Sequence, residues 1–176
     1  MRKSEKKMSV QYGEEEIKNV DEESASATNK IDRDIVIVCF GTTAISGDAL
    51  GPEVGSLLRE KCGVSAFVYG TREHVVNGRN MDEWLGFITA AHKDALFLAV
   101  DACLGSPDNV GQVLLRSDGV CPAAVKGKRS RFGDVGILAV VAENEGDALM
   151  QLMSVSPVYV QDLAAKTAFM IKEALA

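Results

Sequence analysis

The chain has 176 residues, a formal net charge of −6 at pH 7 and few aromatic residues, which make up 6% of it. This length predicts one domain with a sizeable core, and the acidic balance argues against an extended nucleic-acid surface, which needs clustered Lys and Arg. No apolar run approaches the roughly 20 residues that span a bilayer, and no secretory signal is visible, so we expect a cytoplasmic protein without a membrane or nucleic-acid partner.

Residues 1–32 differ in composition from the rest of the chain. Charged and small polar residues dominate them, and large apolar side chains are scarce. Such a segment buries too little apolar surface to offset the entropy of ordering. We therefore expect a disordered polar leader over 1–32 and a single α/β domain over 33–176.

From Asp34 onward, short apolar runs alternate with amphipathic stretches. This pattern is typical of α/β proteins, in which covering helices join the strands. The apolar runs predict strands over 35–40, 65–69, 95–100, 110–115 and 137–142. Apolar residues at helical spacing predict helices over 50–62 and 81–88, a short helix over 147–153 and a longer one after Pro157.

Side chains add detail to two of these helices. Asn80, followed by Glu83 three residues later, resembles a capping box at the start of the second helix. The last helix has one predicted apolar face, formed by Val160, Leu163, Ala164, Thr167, Met170 and Ile171.

Asp48 and Asp101 each come after an apolar strand, Asp48 at the end of the loop 41–48 and Asp101 directly after the run 95–100. In an open parallel sheet, ligands bind outside the carboxyl ends of the strands. Two carboxylates held close together cannot both ionise cheaply, so one pKa rises and the pair can supply a base and an acid. We therefore expect Asp48 and Asp101 to be catalytic residues of a hydrolase.

Other interpretations of these residues remain open. Asp48 could cap the following helix, Asp101 could fix a turn, and the two carboxylates, with or without His74, could hold a divalent ion. A P-loop is disfavoured because Asp48 stands where a P-loop has Lys. No G-x-S-x-G motif of a serine hydrolase occurs.

His74 and Asn77 follow the second predicted strand and would reach the same crevice if that strand lies parallel to the first. We expect them to bind substrate, although an isolated histidine is more often a surface or core residue. Asp134 precedes the fifth strand, which favours a turn at the opposite end of the sheet. The cations of the loop before it are either solvated or bind an acidic partner; they are Lys126, Lys128, Arg129 and Arg131.

The four cysteines, Cys39, Cys62, Cys103 and Cys121, are irregularly spaced and contain no C-x-x-C pair, which predicts reduced thiols. Cys103 lies two residues after Asp101, at the expected crevice. A small buried apolar side chain is the simpler interpretation of Cys103, with a nucleophile or metal ligand as the alternative. We add it to His74 and Asn77 as a candidate substrate contact.

The chain resembles the YyaC-like sporulation proteins at five motifs: GDALGP from Gly47, VYGT from Val68, HVVN from His74, VDACLG from Val100, and Gly133-Asp134. These proteins are similar to the germination protease of spore-forming bacteria and, more distantly, to the hydrogenase maturation endopeptidases. The resemblance extends from Asp34 to the carboxyl terminus, with the leader outside it.

This resemblance implies a three-layer α/β/α sandwich of the phosphorylase/hydrolase type, with a mostly parallel mixed sheet. In the germination protease, the acidic residues that match Asp48 and Asp101 are the proposed catalytic pair. The hydrogenase endopeptidases add a histidine after the fourth strand, around nickel in their substrate. The corresponding loop here, 121–134, has no histidine, which weakens the nickel interpretation.

The leading hypothesis is an endopeptidase without a cofactor that acts on a protein or peptide substrate, in the forespore or mother cell if the organism sporulates. The second is a non-catalytic binding or regulatory protein that uses the same crevice, because one fold hosts many functions. The third is a metal-dependent maturation-type peptidase. The sequence leaves open whether the chain forms a homo-oligomer.

Overall fold

The computed structural model describes residues 33–122 and 130–176. Its sheet has five strands, β1 (Ile35–Cys39), β2 (Phe67–Tyr69), β3 (Leu96–Gly105), β4 (Val113–Arg116) and β5 (Val135–Glu143). The helices are α1 (Leu50–Leu57), α2 (Met81–Ala91), α3 (Ala148–Ser154) and α4 (Pro157–Ala174). A 3-10 turn at Gly47–Ala49 leads into α1, which continues as a π-helical turn over Leu58–Cys62.

The strand order is β2-β1-β3-β5-β4. The first four strands are parallel, and β4 is antiparallel to β5 at one edge. The chain leaves β1 for β2 on one side and then crosses back to β3 on the other side, so the strand order reverses between β1 and β3. This reversal opens a crevice at the carboxyl ends of those two strands.

Helices cover both faces of the sheet. One core packs residues of β1, β3 and β5 against α1, α3 and α4, and a second core packs the other sides of β1 and β3 against α2. The alternation follows from strand geometry: Ile37 and Cys39 belong to the first core, whereas Val36 and Val38 belong to the second. The predicted α/β sandwich with a mostly parallel mixed sheet is confirmed.

The observed strands differ from the predicted ones mainly in β3. This strand does not stop before Asp101 but continues to Gly105, because residues 101–105 pair with β5. Asp101 therefore lies within a strand rather than after one. The second strand is shorter than predicted, beginning at Phe67.

Two helix details are corrected by the structure. Asn80 is the N-cap of α2, but its side chain makes no cap hydrogen bond; its Oδ1 accepts from the Asn77 N–H at 2.9 Å, and its Nδ2 donates to the Val75 carbonyl. Met170 is 41% exposed and lies outside the buried face of α4, where Ala168 is buried instead.

The polar leader predicted over 1–32 lies outside the described residues. So do Lys126, Lys128 and Arg129 of the cationic loop, while Arg131 pairs with Asp118 at 3.1 Å. Asp134 lies at the amino end of β5, where its Oδ2 accepts from the Phe97 N–H at 2.9 Å. This is the end of the sheet opposite the crevice, as predicted. Within the described ranges, no helix is both long and apolar enough to cross a membrane.

Candidate active site

Asp101 occupies the point of β3 at which its neighbour β1 ends. The last residue of β1, Cys39, pairs with Val100, so Asp101 is the next residue of β3 and retains only β5 as a strand neighbour on the other side, opposite Leu138. Its side chain is buried, with 8% exposure. The Asp101 Oδ1 atom accepts a hydrogen bond from the Ala102 N–H at 2.9 Å, which orients the carboxyl group.

Asp48 is positioned by the loop that joins β1 to α1. It lies in the 3-10 turn Gly47–Ala49, and the N-cap positions of that turn and of α1 are Ser46 and Ala49. Its backbone carbonyl accepts from the Thr42 N–H at 3.1 Å and so closes the loop. The loop depends on glycine at position 41: Gly41 has φ 139°, and a Cβ there would lie 2.0 Å from the Asp48 carbonyl oxygen.

Helix α3 holds the same turn from outside. The buried Leu152 contacts Gly47 so closely that a Cβ at Gly47 would be 3.0 Å from the Leu152 side chain and carbonyl oxygen. The Asp147 side chain caps α3 by accepting from Leu149 N and Met150 N. The Asp48 turn is therefore clamped between the end of β1 and a capped helix.

The two aspartates interact electrostatically across the crevice. Burial is the larger cause that raises the pKa of Asp101 well above its ordinary value of 3.8, and the charge of the half-buried Asp48 raises it further. The hydrogen bond from Ala102 acts in the opposite direction. Burial and a neighbouring carboxylate both favour the protonated form of a carboxyl group, so the site pairs Asp101, whose proton is bound more tightly than usual, with the more exposed Asp48.

Two thiols lie in the field of Asp101. Burial and then the Asp101 charge raise the pKa of the Cys39 thiol far above its ordinary range. The same two causes raise the pKa of Cys103 to about 12. Both thiols are therefore neutral near pH 7, which is unfavourable for a nucleophile or a metal ligand because both roles need the thiolate. The simpler interpretation of Cys103, a partly buried neutral side chain, fits this environment.

The structure places His74 and Asn77 beside the crevice rather than between the aspartates. Val76, which stands between them in sequence, bridges to Phe40, and its carbonyl accepts from the Gly41 N–H at 2.9 Å. His74 is exposed and lines a groove beside β2 that neither aspartate lines. The Asn77 Oδ1 accepts from the Arg79 N–H at 2.9 Å, in the turn that starts α2.

The sequence pattern alone did not single out Cys39 or Ser46. Cys39 reads as one apolar residue among several in β1, and its proximity to Asp101 depends on strand order. The Ser46 Oγ atom is buried and has no hydrogen-bond partner among the described residues. A serine two residues before a candidate catalytic aspartate is the only sequence signal for it.

The crevice contains few side chains that could hold a metal ion. Among the described residues, no group of three or more His, Cys, Asp or Glu side chains is arranged to hold a metal. Besides the two thiols, the crevice offers the carboxyl groups of Asp48 and Asp101. Two carboxyl groups are fewer protein ligands than a catalytic zinc ion usually has.

Comparison with protein families matches residues 9–168 to the family described as "Protein of unknown function (DUF1256)". The match begins at residue 9 and therefore includes part of the leader, which we had placed outside the resemblance. The chain is 35% identical over 119 residues to the uncharacterized protein YyaC of Bacillus subtilis (strain 168). The aligned region covers 67% of this chain and 58% of YyaC. The resemblance to YyaC-like proteins is therefore confirmed. The chain matches less than two thirds of YyaC's own length.

Three solved structures share the fold. The [NiFe] hydrogenase maturation protease HycI from Thermococcus kodakarensis KOD1 has a TM-score of 0.52 and 20% identity over 81% of this chain and 92% of that chain. The maturation protease HybD from Thermococcus kodakarensis has a TM-score of 0.50 and 17% identity, covering 81% and 99%. A peptidyl-tRNA hydrolase has a TM-score of 0.55 and 12% identity, covering 81% and 86%. At these identities the likeness extends to the fold alone.

Proposed function

The chain belongs to the family described as "Protein of unknown function (DUF1256)", and on that premise we propose that it is an endopeptidase in which Asp48 and Asp101 act together on a peptide bond. One observation carries the proposal. A buried carboxyl group, Asp101, and a half-buried one, Asp48, are close enough for the charge of one to raise the pKa of the other. Pairs of titratable groups whose environments differ in this way are typical of acid–base sites.

The difference in burial gives the two groups different roles. Asp48 is more exposed and is the carboxylate that accepts a proton from water as the water oxygen attacks the carbonyl carbon. Asp101 carries a proton and donates it to the amide nitrogen as the carbon–nitrogen bond breaks. Asp48 then returns its proton to Asp101, and the products leave as a carboxylate and an ammonium group.

The fold alone does not select this chemistry. The likeness to a peptidyl-tRNA hydrolase is as good as the likeness to the maturation proteases, and one fold hosts many reactions. The choice of a peptidase rests on the paired aspartates and on their match to the proposed catalytic pair of the germination protease. In this proposal Cys103 and His74 contact the substrate, while Asn77 acts by shaping the turn before α2.

The biological setting belongs to the same proposal. The resemblance to YyaC-like sporulation proteins and to the germination protease supports a protein substrate in spore formation or germination. The compartment would then be the cytoplasm of the forespore or of the mother cell.

Cleavage of spore proteins tests the proposed function. Purified protein is incubated with an extract of spore proteins, and new peptide termini are identified by mass spectrometry. Asp48→Asn and Asp101→Asn should each reduce cleavage by at least about a hundredfold, because each removes one member of an acid–base pair. Thermal unfolding of both variants shows whether the loss comes from chemistry or from the fold.

Asp134→Asn is the matched control, because Asp134 lies at the opposite end of the sheet and should leave cleavage in place. Cleavage that is retained in both Asp48→Asn and Asp101→Asn would contradict the proposal. Cleavage that a chelator abolishes would favour the metal-dependent alternative. A stable partner in the extract without any cleavage would favour a binding or regulatory protein.

A further inference from the structure

A groove of about 450 Å³ runs along the outer side of β2. On one side it is lined by the end of the first helical segment, at Leu58 and Arg59, and on the other by Trp84 of α2. Thr71 and His74 line the end that corresponds to the carboxyl end of β2. The walls are mostly apolar with few polar groups, and the volume lies in the range of binding clefts.

The floor of this groove is the edge of the sheet. β2 is the terminal strand in the order β2-β1-β3-β5-β4, and no described residue forms a strand pair with its outer side. Such an edge presents backbone N–H and C=O groups that can pair with an added strand. Phe67 at the start of β2 is 47% exposed, so the edge also offers an apolar side chain.

The charge at the mouth of the groove suggests what it binds. Arg59 is exposed and makes no ion pair with any described residue. Arg72, which follows β2, differs because it pairs with Glu53 at 3.0 Å and with Glu60 at 3.2 Å. A cation without an ion-pair partner is complementary at short range to one acidic side chain of a ligand, whereas the net charge of −6 disfavours a ligand that is acidic throughout.

The groove adjoins the candidate active site through the segment that follows β2. Gly70 lines the groove and packs directly on the last residue of β1: a Cβ at Gly70 would lie 1.8 Å from the Cys39 carbonyl oxygen. With strands about 4.8 Å apart, an added strand beside β2 would lie roughly 12 Å from the gap between β1 and β3, which about four extended residues can span.

We propose that this groove binds an extended segment of a polypeptide substrate that carries an acidic residue, pairs with the outer edge of β2 and leads its scissile bond to the aspartates. This inference rests on the proposed function and adds to it the substrate class and the mode of binding. Main-chain pairing supplies affinity, the contacts with Trp84 and Phe67 select apolar side chains, and Arg59 selects an acidic neighbour.

Binding can be measured without cleavage. Trp84 is the only tryptophan in the chain, so its fluorescence reports on the groove directly. The full-length Asp48→Asn/Asp101→Asn variant is titrated with a synthetic peptide of about twelve residues, long enough to cover β2 and the gap, in which valine and threonine alternate around one leucine–aspartate pair. The peptide should change the Trp84 emission saturably and protect from hydrogen exchange those amides of 67–69 that face away from β1.

Two matched comparisons make the result specific. The same peptide with alternate amides N-methylated keeps its side chains but cannot pair as a strand, and it should bind at least about tenfold more weakly. Arg59→Glu should weaken binding of the acidic peptide about fivefold at low ionic strength, and salt should reduce the difference. Lys61→Glu makes the same charge change two residues away on a side chain that does not line the groove, and it should have little effect.

Equal binding of the N-methylated peptide would overturn the strand-pairing mode, and an equal effect of Arg59→Glu and Lys61→Glu would overturn the acidic specificity. No saturable change at millimolar peptide, or protection without peptide of the 67–69 amides that face away from β1, would overturn the groove as the substrate site. The peptidase proposal could still stand in that case, because cleavage is measured separately. Binding of the peptide to the unmodified protein without cleavage would instead contradict the peptidase proposal, while the groove would stand as a peptide-binding site.

Discussion

Asp101 is buried and interacts with the charge of Asp48, and both effects raise the pKa of the Asp101 carboxyl group. Burial has the larger effect and the charge of Asp48 the smaller one. The two residues come from different elements, a strand and a 3-10 turn, and meet where the strand order of the sheet reverses. The reversal supplies the crevice, while the end of β1 at Cys39 exposes the next position of β3 to the loop. The electrostatic coupling is therefore a consequence of topology.

The raised pKa of Asp101 makes stability depend on pH in a defined direction. The folded state binds the Asp101 proton more tightly than the unfolded chain does. The stability that this group contributes is therefore fully present below the unfolded pKa of about 3.9 and is lost as pH rises through the folded pKa. Asp101→Asn should remove this loss, so the variant should gain stability relative to the unmodified protein as pH rises from about 4.

Urea unfolding of both proteins between pH 3 and pH 8 measures this difference. Each unit by which the folded pKa exceeds the unfolded one corresponds to about 1.4 kcal/mol. The other titrating groups are common to both proteins and largely cancel in the comparison. A difference in unfolding free energy that stays constant across the range would show that Asp101 is not held in its neutral form.

Asp48→Asn should lower the pKa of Asp101 without returning it to its ordinary value. The substitution removes the charge of Asp48, which is the second cause of the shift, and leaves burial, which is the first. Titration of the Asp101 side-chain carbon by NMR measures the change. An unchanged midpoint would mean that the two carboxyl groups do not share a site, and the acid–base proposal would fail with it.

The sequence was sufficient to predict the elements that define the fold. The continuous β-branched run of β1 and the spacing of Leu50, Val54 and Leu58 in the first helical segment reflect burial on both faces of a strand and on one face of a helix. Both patterns involve residues close together in sequence, so they can be recognised without knowledge of the tertiary structure. The placement of Asp48 and Asp101 near one crevice followed from the same pattern of strand ends.

What could not be predicted depends on contacts between distant segments. Asp101 marks a strand end in a sequence pattern because a carboxylate is costly inside a sheet. The strand β3 nevertheless continues past it, because β5 pairs with it and burial favours the protonated form of its carboxyl group. The Asn80 side chain was predicted to cap α2 but instead bonds to Asn77 and Val75, in a turn fixed by the bridge between Phe40 and Val76. The groove beside β2 likewise exists only once strand order is known.

Cys103 should behave as an unreactive thiol. With a pKa of about 12, roughly one molecule in ten thousand carries the thiolate at pH 8. Alkylation by iodoacetamide, followed by mass spectrometry, should be slow at Cys103 in the folded protein and fast for every cysteine in urea. Asp101→Asn should accelerate the reaction only modestly, because burial is the larger cause of the shift. Rapid alkylation of Cys103 at pH 7 would instead favour the nucleophile interpretation.

Ser46 and Ser56 both have buried hydroxyl groups, but removing the two hydroxyls should change the free energy of unfolding in opposite directions. The Ser46 Oγ has no hydrogen-bond partner among the described residues, and a buried unpaired polar group costs about 1–3 kcal/mol. Ser46→Ala should therefore raise the free energy of unfolding by about 1 kcal/mol. Ser56 is 1% exposed, and its Oγ accepts from the Arg72 N–H at 3.0 Å, so Ser56→Ala removes a hydrogen bond and should lower the free energy of unfolding by about the same amount.

Urea unfolding of the two variants at one pH tests whether the Ser46 hydroxyl is unpaired in the native state. The comparison is matched because each substitution removes one serine hydroxyl group. If Ser46→Ala destabilises the protein as Ser56→Ala does, the Ser46 hydroxyl has a structural partner in the native state. If it stabilises the protein and also slows cleavage of a spore-protein substrate, the unpaired hydroxyl beside Asp48 has been retained for the substrate or the attacking water, at a cost in stability that is common at functional sites.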